Sequence, residues 1–394
     1  MRCGILLTLC FALVAWLPGP SRAQSPTQAA GPGRVSSRAV EVVKEIRKDS
    51  RGREYYLYRP KKLLPGRPYW LVAGIHAFGG TGKQAGGFEP LTSLGNCIVV
   101  GPTFSKAYVS LDDKTDTQLL TLFARLKKEF LLHDKLFIAG FSAGAQYAHR
   151  FALRHPGSVV GCVAISGGSW ATGDAWKGDE AVTLAARGVL FSIACGTADT
   201  GATLTSSRLR WAQKFAGQLI ANGNMVKEIY WKNHGHAFGL RAQTLAKEAL
   251  LMATTGRGLS DGIQLEKQID ASCAAAASAS YPKALATISA LGRIAAKAPP
   301  KEQQPLNAPA GRKKPHSLGW HVPTAKASWF AKHAQQRMAV WKARLIRVVA
   351  ARARQEARAM KNNQAAASRA RIAAIRATFA KHPSALALIF AAVK

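Results

Sequence analysis

Ser142 stands in Gly140-Phe141-Ser142-Ala143-Gly144, which fits the pattern G-x-S-x-G. An apolar run at 136–139 precedes it and a helical stretch at 146–155 follows. A sharp turn between strand and helix lifts a serine hydroxyl clear of the sheet, at the positive end of the helix. The bland alternative is a tight turn with a capping serine. Such a hydroxyl attacks a carbonyl only when a base of near-neutral pKa takes its proton. Asn233-His234-Gly235-His236-Ala237-Phe238 offers two histidines just after the last strand-like run. A carboxylate must in turn orient the base. Asp199 lies after the apolar run 189–194, in Cys195-Gly196-Thr197-Ala198-Asp199-Thr200. Asp174 is the rival acid, but it follows the strand-like run before that one and reads equally as a turn residue. Serine, then acid, then histidine is one of the established chain orders for acyl-transfer chemistry. His133, His149 and His155 sit in or beside helical stretches and read as structural.

The elements that must carry these residues alternate. Stretches 40–47 and 54–59 read as two strands joined by a turn at Ser50-Arg51-Gly52. Solid apolar runs at 69–75, 96–100, 136–139, 159–165, 189–194 and 226–231 read as buried strands. Amphipathic stretches at 115–130, 146–155, 206–221 and 240–254 read as helices. Strands alternating with helices predict a mostly parallel sheet of about eight strands, covered on both faces. Ligands bind at the carboxyl ends of strands in such sheets, and each residue singled out above follows a strand.

Residues 140–156 read GFSAGAQYAHRFALRHP. This segment resembles the nucleophile region of bacterial α/β-hydrolases of the poly(3-hydroxybutyrate) depolymerase-like and feruloyl-esterase-like group. The resemblance covers roughly residues 40–256 and stops before the C-terminal part. It implies an α/β-hydrolase fold and ester hydrolysis; the mechanism needs no metal or organic cofactor. Members of the group carry Gly-x-Gly-His-Ala-Trp around the base, a register that puts the base on His236 rather than His234. Their Gly-x-x-Asp after the preceding strand matches Gly196 to Asp199.

Residues 69–82 read YWLVAGIHAFGGTG, where the group resembles His-Gly-Gly-Gly-Gly-Thr-Gly. Backbone N–H groups there must face the oxygen that becomes negative. By resemblance the donors are the N–H groups of Ala143 and Phe78. Ala77 and Phe78 replace usual glycines, so Gly79 is the alternative second donor. Phe78 is also expected to narrow the acyl pocket, and His76 to pin the loop. Trp170 and Trp176, after Ser166-Gly167-Gly168, together with Tyr147 are candidate substrate-binding aromatics, which Phe104 and Tyr108 could join. Ordinary packing is the alternative for all five.

Domain bounds follow from composition. Residues 1–23 have a positive start, a short apolar core and a small-residue cleavage site after Ala23, the pattern of a secretory signal peptide. Residues 24–37 are a flexible leader, 38–256 the catalytic domain, 257–297 a helical segment, 298–316 a linker and 317–394 a basic helical extension. Export, to the periplasm or the medium, permits disulfides, but Cys97, Cys162 and Cys195 lie in apolar runs and, with Cys273, read as buried thiols. No Cys or His spacing suits a metal.

The formal net charge is +34. Residues 40–256 hold 27 Lys/Arg against 16 Asp/Glu; residues 257–394 hold 24 against 5. That imbalance predicts an anionic neighbour for the Ala-rich extension. Trp341, Leu345, Val348 and Val349 recur at helical spacing there. Such a helix suits an anionic membrane or envelope surface, or docks its apolar stripe on the catalytic domain; export argues against nucleic acid. Three functions stay open: an ester hydrolase, a serine peptidase of the same fold, and a non-catalytic envelope-associated binding protein.

Overall fold

The computed structural model describes residues 40–104, 108–111, 114–171, 180–201, 207–257, 259–295, 327–360 and 366–390. The apolar runs form the interior of one sheet. Its strands are β1 (Val42–Lys48), β2 (Glu54–Pro60), β3 (Trp70–Ile75), β4 (Cys97–Pro102), β5 (Leu136–Phe141), β6 (Val159–Ile165), β7 (Leu190–Gly196) and β8 (Met225–Trp231). Their spatial order is β1-β2-β4-β3-β5-β6-β7-β8. β2 runs antiparallel to both its neighbours, and every pairing from β4 to β8 is parallel. This is the α/β-hydrolase architecture expected from the sequence.

Period-2 alternation sends the side chains of each central strand to two cores. Leu71, Ala73 and Ile75 of β3 share one core with Leu122, Phe151 and Phe215. Those three come from α1 (Thr115–Glu129), α2 (Ala143–Arg154) and α3 (Arg208–Ala221). Trp70 and Val72 share the other with Phe88, Leu245 and Leu251. There α4 (Leu240–Thr255) lies beside a segment of tight turns over Gly82–Leu94. Nothing in the hydrophobic pattern of that segment announced it, because Gly86, Gly87 and Pro90 interrupt any helical repeat.

The C-terminal part forms α5 (Leu259–Ser278), α6 (Tyr281–Ala295), α7 (Ala327–Met360), α8 (Ala366–Phe379) and α9 (Pro383–Phe390). Among the described residues the helical extension expected over 317–394 is divided into α7, α8 and α9. The leader regions 1–23 and 24–37 and the linker 298–316 lie outside the described residues. Trp341, Leu345 and Val349 of α7 are buried against Ile269, Cys273, Ile288 and Phe379. The apolar stripe is therefore consumed in a helical core, and the described residues from 40 onward belong to one compact unit.

A buried charge joins the helices to the sheet. Arg67, in the β2–β3 loop, is 1% exposed. Its Nη2 donates to Glu266 Oε2 of α5 at 2.7 Å, and its Nη1 pairs with Asp270 one turn on. The Trp341 ring of α7 lies 5.8 Å from the same guanidinium. A buried ion pair gains little over an apolar contact, but losing one partner costs about 3–5 kcal/mol, because a charge is then buried alone. Cys97, Cys162, Cys195 and Cys273 are free and buried, as expected, and burial pushes the Cys195 thiol up to about 12. Among the described residues no helix is long and apolar enough to cross a membrane.

Candidate active site

The turn at Ser142 is fixed by sterics. Ser142 takes φ 58° and ψ −122°, a conformation L-residues seldom adopt. A Cβ on Gly140 would lie 2.1 Å from the Gly144 carbonyl oxygen; one on Gly144 would lie 2.3 Å from the Ile75 oxygen. Only glycine fits at either place, so β5 can turn at once into α2 beside the end of β3. Strain of this kind costs about 1–3 kcal/mol and persists where the surroundings impose it. Helix α2 begins at Ala143, three residues ahead of the expected start at 146. The positive end of α2 therefore abuts the serine hydroxyl.

Two further loops bring the partners. Asp199 follows β7 and is 2% exposed. His236 lies in the loop between β8 and α4. That loop is stitched to the Asp199 loop: the Ala198 N–H donates to the His234 carbonyl at 3.0 Å, the Asn233 N–H to Thr197 Oγ1 at 2.9 Å. The His236 ring lies against Phe141, with centroids 4.7 Å apart. Its Nε2 is 3.0 Å from Ser142 Oγ and its Nδ1 2.9 Å from Asp199 Oδ2. Hydroxyl, imidazole and carboxylate thus form one hydrogen-bonded line. With Nδ1 donating to Asp199, Nε2 is left to accept the serine proton. Burial raises the Asp199 pKa, but hydrogen bonds from His236, Ser166 and Arg208 outweigh it, so the carboxyl lies below its ordinary value.

The other histidines have different work. His234 turns its Nε2 to the Ala237 carbonyl at 3.2 Å, away from the serine. Both ring nitrogens of His76 are engaged: Nδ1 donates to the Ala77 carbonyl at 2.8 Å and Nε2 accepts the Phe104 N–H at 3.0 Å. Tyr108 donates to the His76 carbonyl. Burial lowers the His76 pKa and keeps the ring neutral. His76 therefore pins the loop, as expected.

That loop runs beside the start of α2, since a Cβ on Gly144 would lie 2.8 Å from the His76 oxygen. The Ala77 N–H is taken by Gln84 Oε1 at 2.7 Å, and Gly79 has φ +70°. Phe78 departs from expectation. It is 67% exposed, where the other large apolar side chains of this region are buried.

Two candidate substrate aromatics are corrected. Trp170 is fully buried, stacked on His149 at 5.1 Å and Phe215 at 5.5 Å. Tyr147 is fully buried too; its hydroxyl donates to the Thr115 carbonyl at 3.0 Å. It sits one turn before Phe151 on the core side of α2, so its ring fills the helix–sheet interface. Phe104 and Tyr108 are buried in the same core. Trp176 and Asp174 lie outside the described residues. Among the described residues no group of three His, Cys, Asp or Glu side chains could hold a metal ion.

The sheet order and the strand–turn–helix at Ser142 are those of an α/β-hydrolase fold. No protein-family model matches this chain, and no curated protein matches it. Solved structures similar to it include poly(aspartic acid) hydrolase-1 from Sphingomonas sp. KT-1, 20% identical over 53% of this chain and 98% of that one, with a TM-score of 0.44. S-formylglutathione hydrolase from Staphylococcus aureus is 15% identical over 55% and 98%, with a TM-score of 0.43. A ferulic acid esterase from the anaerobic fungus Anaeromyces mucronatus is 12% identical over 55% and 92%, with a TM-score of 0.44. At such identities and scores no residue role carries over from them.

Proposed function

We propose that this chain is an exported serine hydrolase that cleaves carboxylic esters through an acyl-enzyme on Ser142. The observation that carries the reading is the continuous line from Ser142 Oγ through the His236 ring to Asp199. Ser142 Oγ attacks the ester carbonyl as His236 Nε2 takes its proton. Asp199 stabilises the imidazolium. The N–H groups of Ala143 and Phe78 receive the oxyanion, each such donor being worth on the order of 10²–10³ in rate. His236 then protonates the departing alkoxide, and water activated by the same ring releases the acid. The resemblance of residues 140–156 to esterases favours ester over amide.

The test is a series of p-nitrophenyl esters set against chromogenic peptides. A burst of p-nitrophenol stoichiometric with protein, with no peptide turnover, is the expected result. Peptide turnover without ester turnover would replace the reading with a peptidase. Inertness toward both, with no covalent labelling by a fluorophosphonate, would leave the binding protein.

Residues 1–23 support export, and exposed Arg347, Arg358, Arg369 and Arg376 support an anionic envelope surface as partner of the extension. Because the apolar stripe of α7 is already buried, that attachment is electrostatic. Cell fractionation checks both points. The mature chain is expected to begin at Gln24, to sediment with envelope and to leave it in high salt. A cytoplasmic chain retaining Met1 would refute the assignment.

A further inference from the structure

Asp199 has a second partner that the mechanism above does not use. Arg208 Nη1 donates to Asp199 Oδ1 at 2.9 Å, while the other oxygen, Oδ2, accepts from His236. The Arg208 side chain is 17% exposed, and its Nε is buried with no hydrogen-bond partner among the described residues. Its placement is costly. Arg208 is the first residue of α3, where a cation opposes the helix dipole. Ser207 already caps that end by accepting the Arg210 N–H, so Arg208 is not needed as a cap. A mostly buried guanidinium held against the dipole is offset by the Asp199 carboxylate it touches.

The geometry points to Arg208 as a positioning residue of the catalytic line, acting through Asp199. A carboxylate bound at one oxygen can swing about its Cβ–Cγ bond. Asp199 is bound at both, so Oδ2 is held facing His236 Nδ1, and the imidazole is held with Nε2 toward Ser142. The same contact adds to the hydrogen bonds from His236 and Ser166 that favour the ionised carboxylate. Arg208 touches neither the serine nor the acyl group. This inference rests on the catalytic reading of Ser142, His236 and Asp199.

Full-length Arg208→Ala, Arg208→Gln and Arg208→Lys are compared with wild type on p-nitrophenyl acetate. Misplacing the base is expected to cost about 10²-fold in kcat in Arg208→Ala, with KM unchanged. Arg208→Lys, which keeps the charge, recovers most of the rate; Arg208→Gln, a shorter neutral donor, recovers little. Should Arg208→Ala fail to fold, the Lys and Gln variants decide by the same ordering. A second readout needs no turnover. The hydrogen-bonded Nδ1–H proton of His236 gives a far-downfield NMR resonance, assigned by its loss in His236→Ala. It is expected to persist in Arg208→Lys and to weaken or vanish in Arg208→Ala. If wild type shows that dependence but hydrolyses nothing, the hydrolase reading fails and the positioning role stands. If wild type hydrolyses esters and all three variants keep kcat and the resonance, the positioning role is overturned.

Discussion

Ser142→Ala is expected to abolish labelling by a fluorophosphonate and to lower kcat on esters on the order of 10⁶-fold. The substitution deletes one oxygen. It leaves the turn intact, because alanine bears the same Cβ that the strained φ of 58° already accommodates. Melting temperature should therefore stay within about 2 °C of wild type, as expected for a change that removes one part-exposed hydrogen bond. The loss is steep because all covalent chemistry passes through that oxygen, while base and acid have no use without it. For the same reason Ser142→Ala combined with His236→Ala should be no slower than either alone, since the group works as a unit. Mass spectrometry of the labelled protein, with the modified peptide identified, checks this directly. Full labelling of the alanine variant would show the nucleophile to lie elsewhere.

Asp199→Asn should cost about 10⁴-fold in kcat by a different route. An amide of the same shape turns its NH₂ toward the ring and donates to Nδ1. The proton then resides on Nε2, which can no longer accept from Ser142. The substitution also strips Arg208 of its carboxylate partner Asp199, so melting temperature falls as well as rate. Adding Arg208→Gln to Asp199→Asn separates the two effects: stability recovers and rate does not. The pH dependence has a defined sign. The folded-state pKa of Asp199 is depressed, first against the opposing pull of burial and then by its hydrogen bonds to His236 and Arg208. Its contribution to stability is present above the ordinary carboxylate range and is lost as pH falls through the lowered value, below about pH 4. The acid limb of the unfolding curve should be shallower in Asp199→Asn than in wild type, as chemical denaturation at successive pH values would reveal. Equal limbs would mean that the Asp199 carboxylate is not held by its neighbours.

What the sequence made legible was local. Gly140 and Gly144 are required by contacts within a few residues of chain, and the solid apolar runs from 69–75 to 226–231 could only be buried strands. Their alternation with helices pointed to a mostly parallel sheet covered on both faces, but not to the order of its strands. Arg208 was beyond reach: nothing nine residues after Asp199 says which way a long side chain turns, although a cation on the first residue of a helix was a signal that could have been weighed. Trp170 and Tyr147 failed as substrate contacts because position after a strand does not fix which side of the loop or helix meets the core. In the extension, the helical repeat of Trp341, Leu345 and Val349 was readable, but the surface that receives it was not, since α5 and α6 both end well before Trp341 in the chain.

The ion pair between Arg67 and Glu266 bears on how such a chain can be trimmed. A tail tied on by exposed contacts can be clipped off without harm to the body that carries it. Here, removing the five helices would strand a guanidinium that the β2–β3 loop keeps inside and would take away the Trp341 ring that covers it. The appendage therefore behaves as a keystone: evolution, or an engineer, can rewrite its outer arginines freely but cannot delete it without first replacing what sits at position 67.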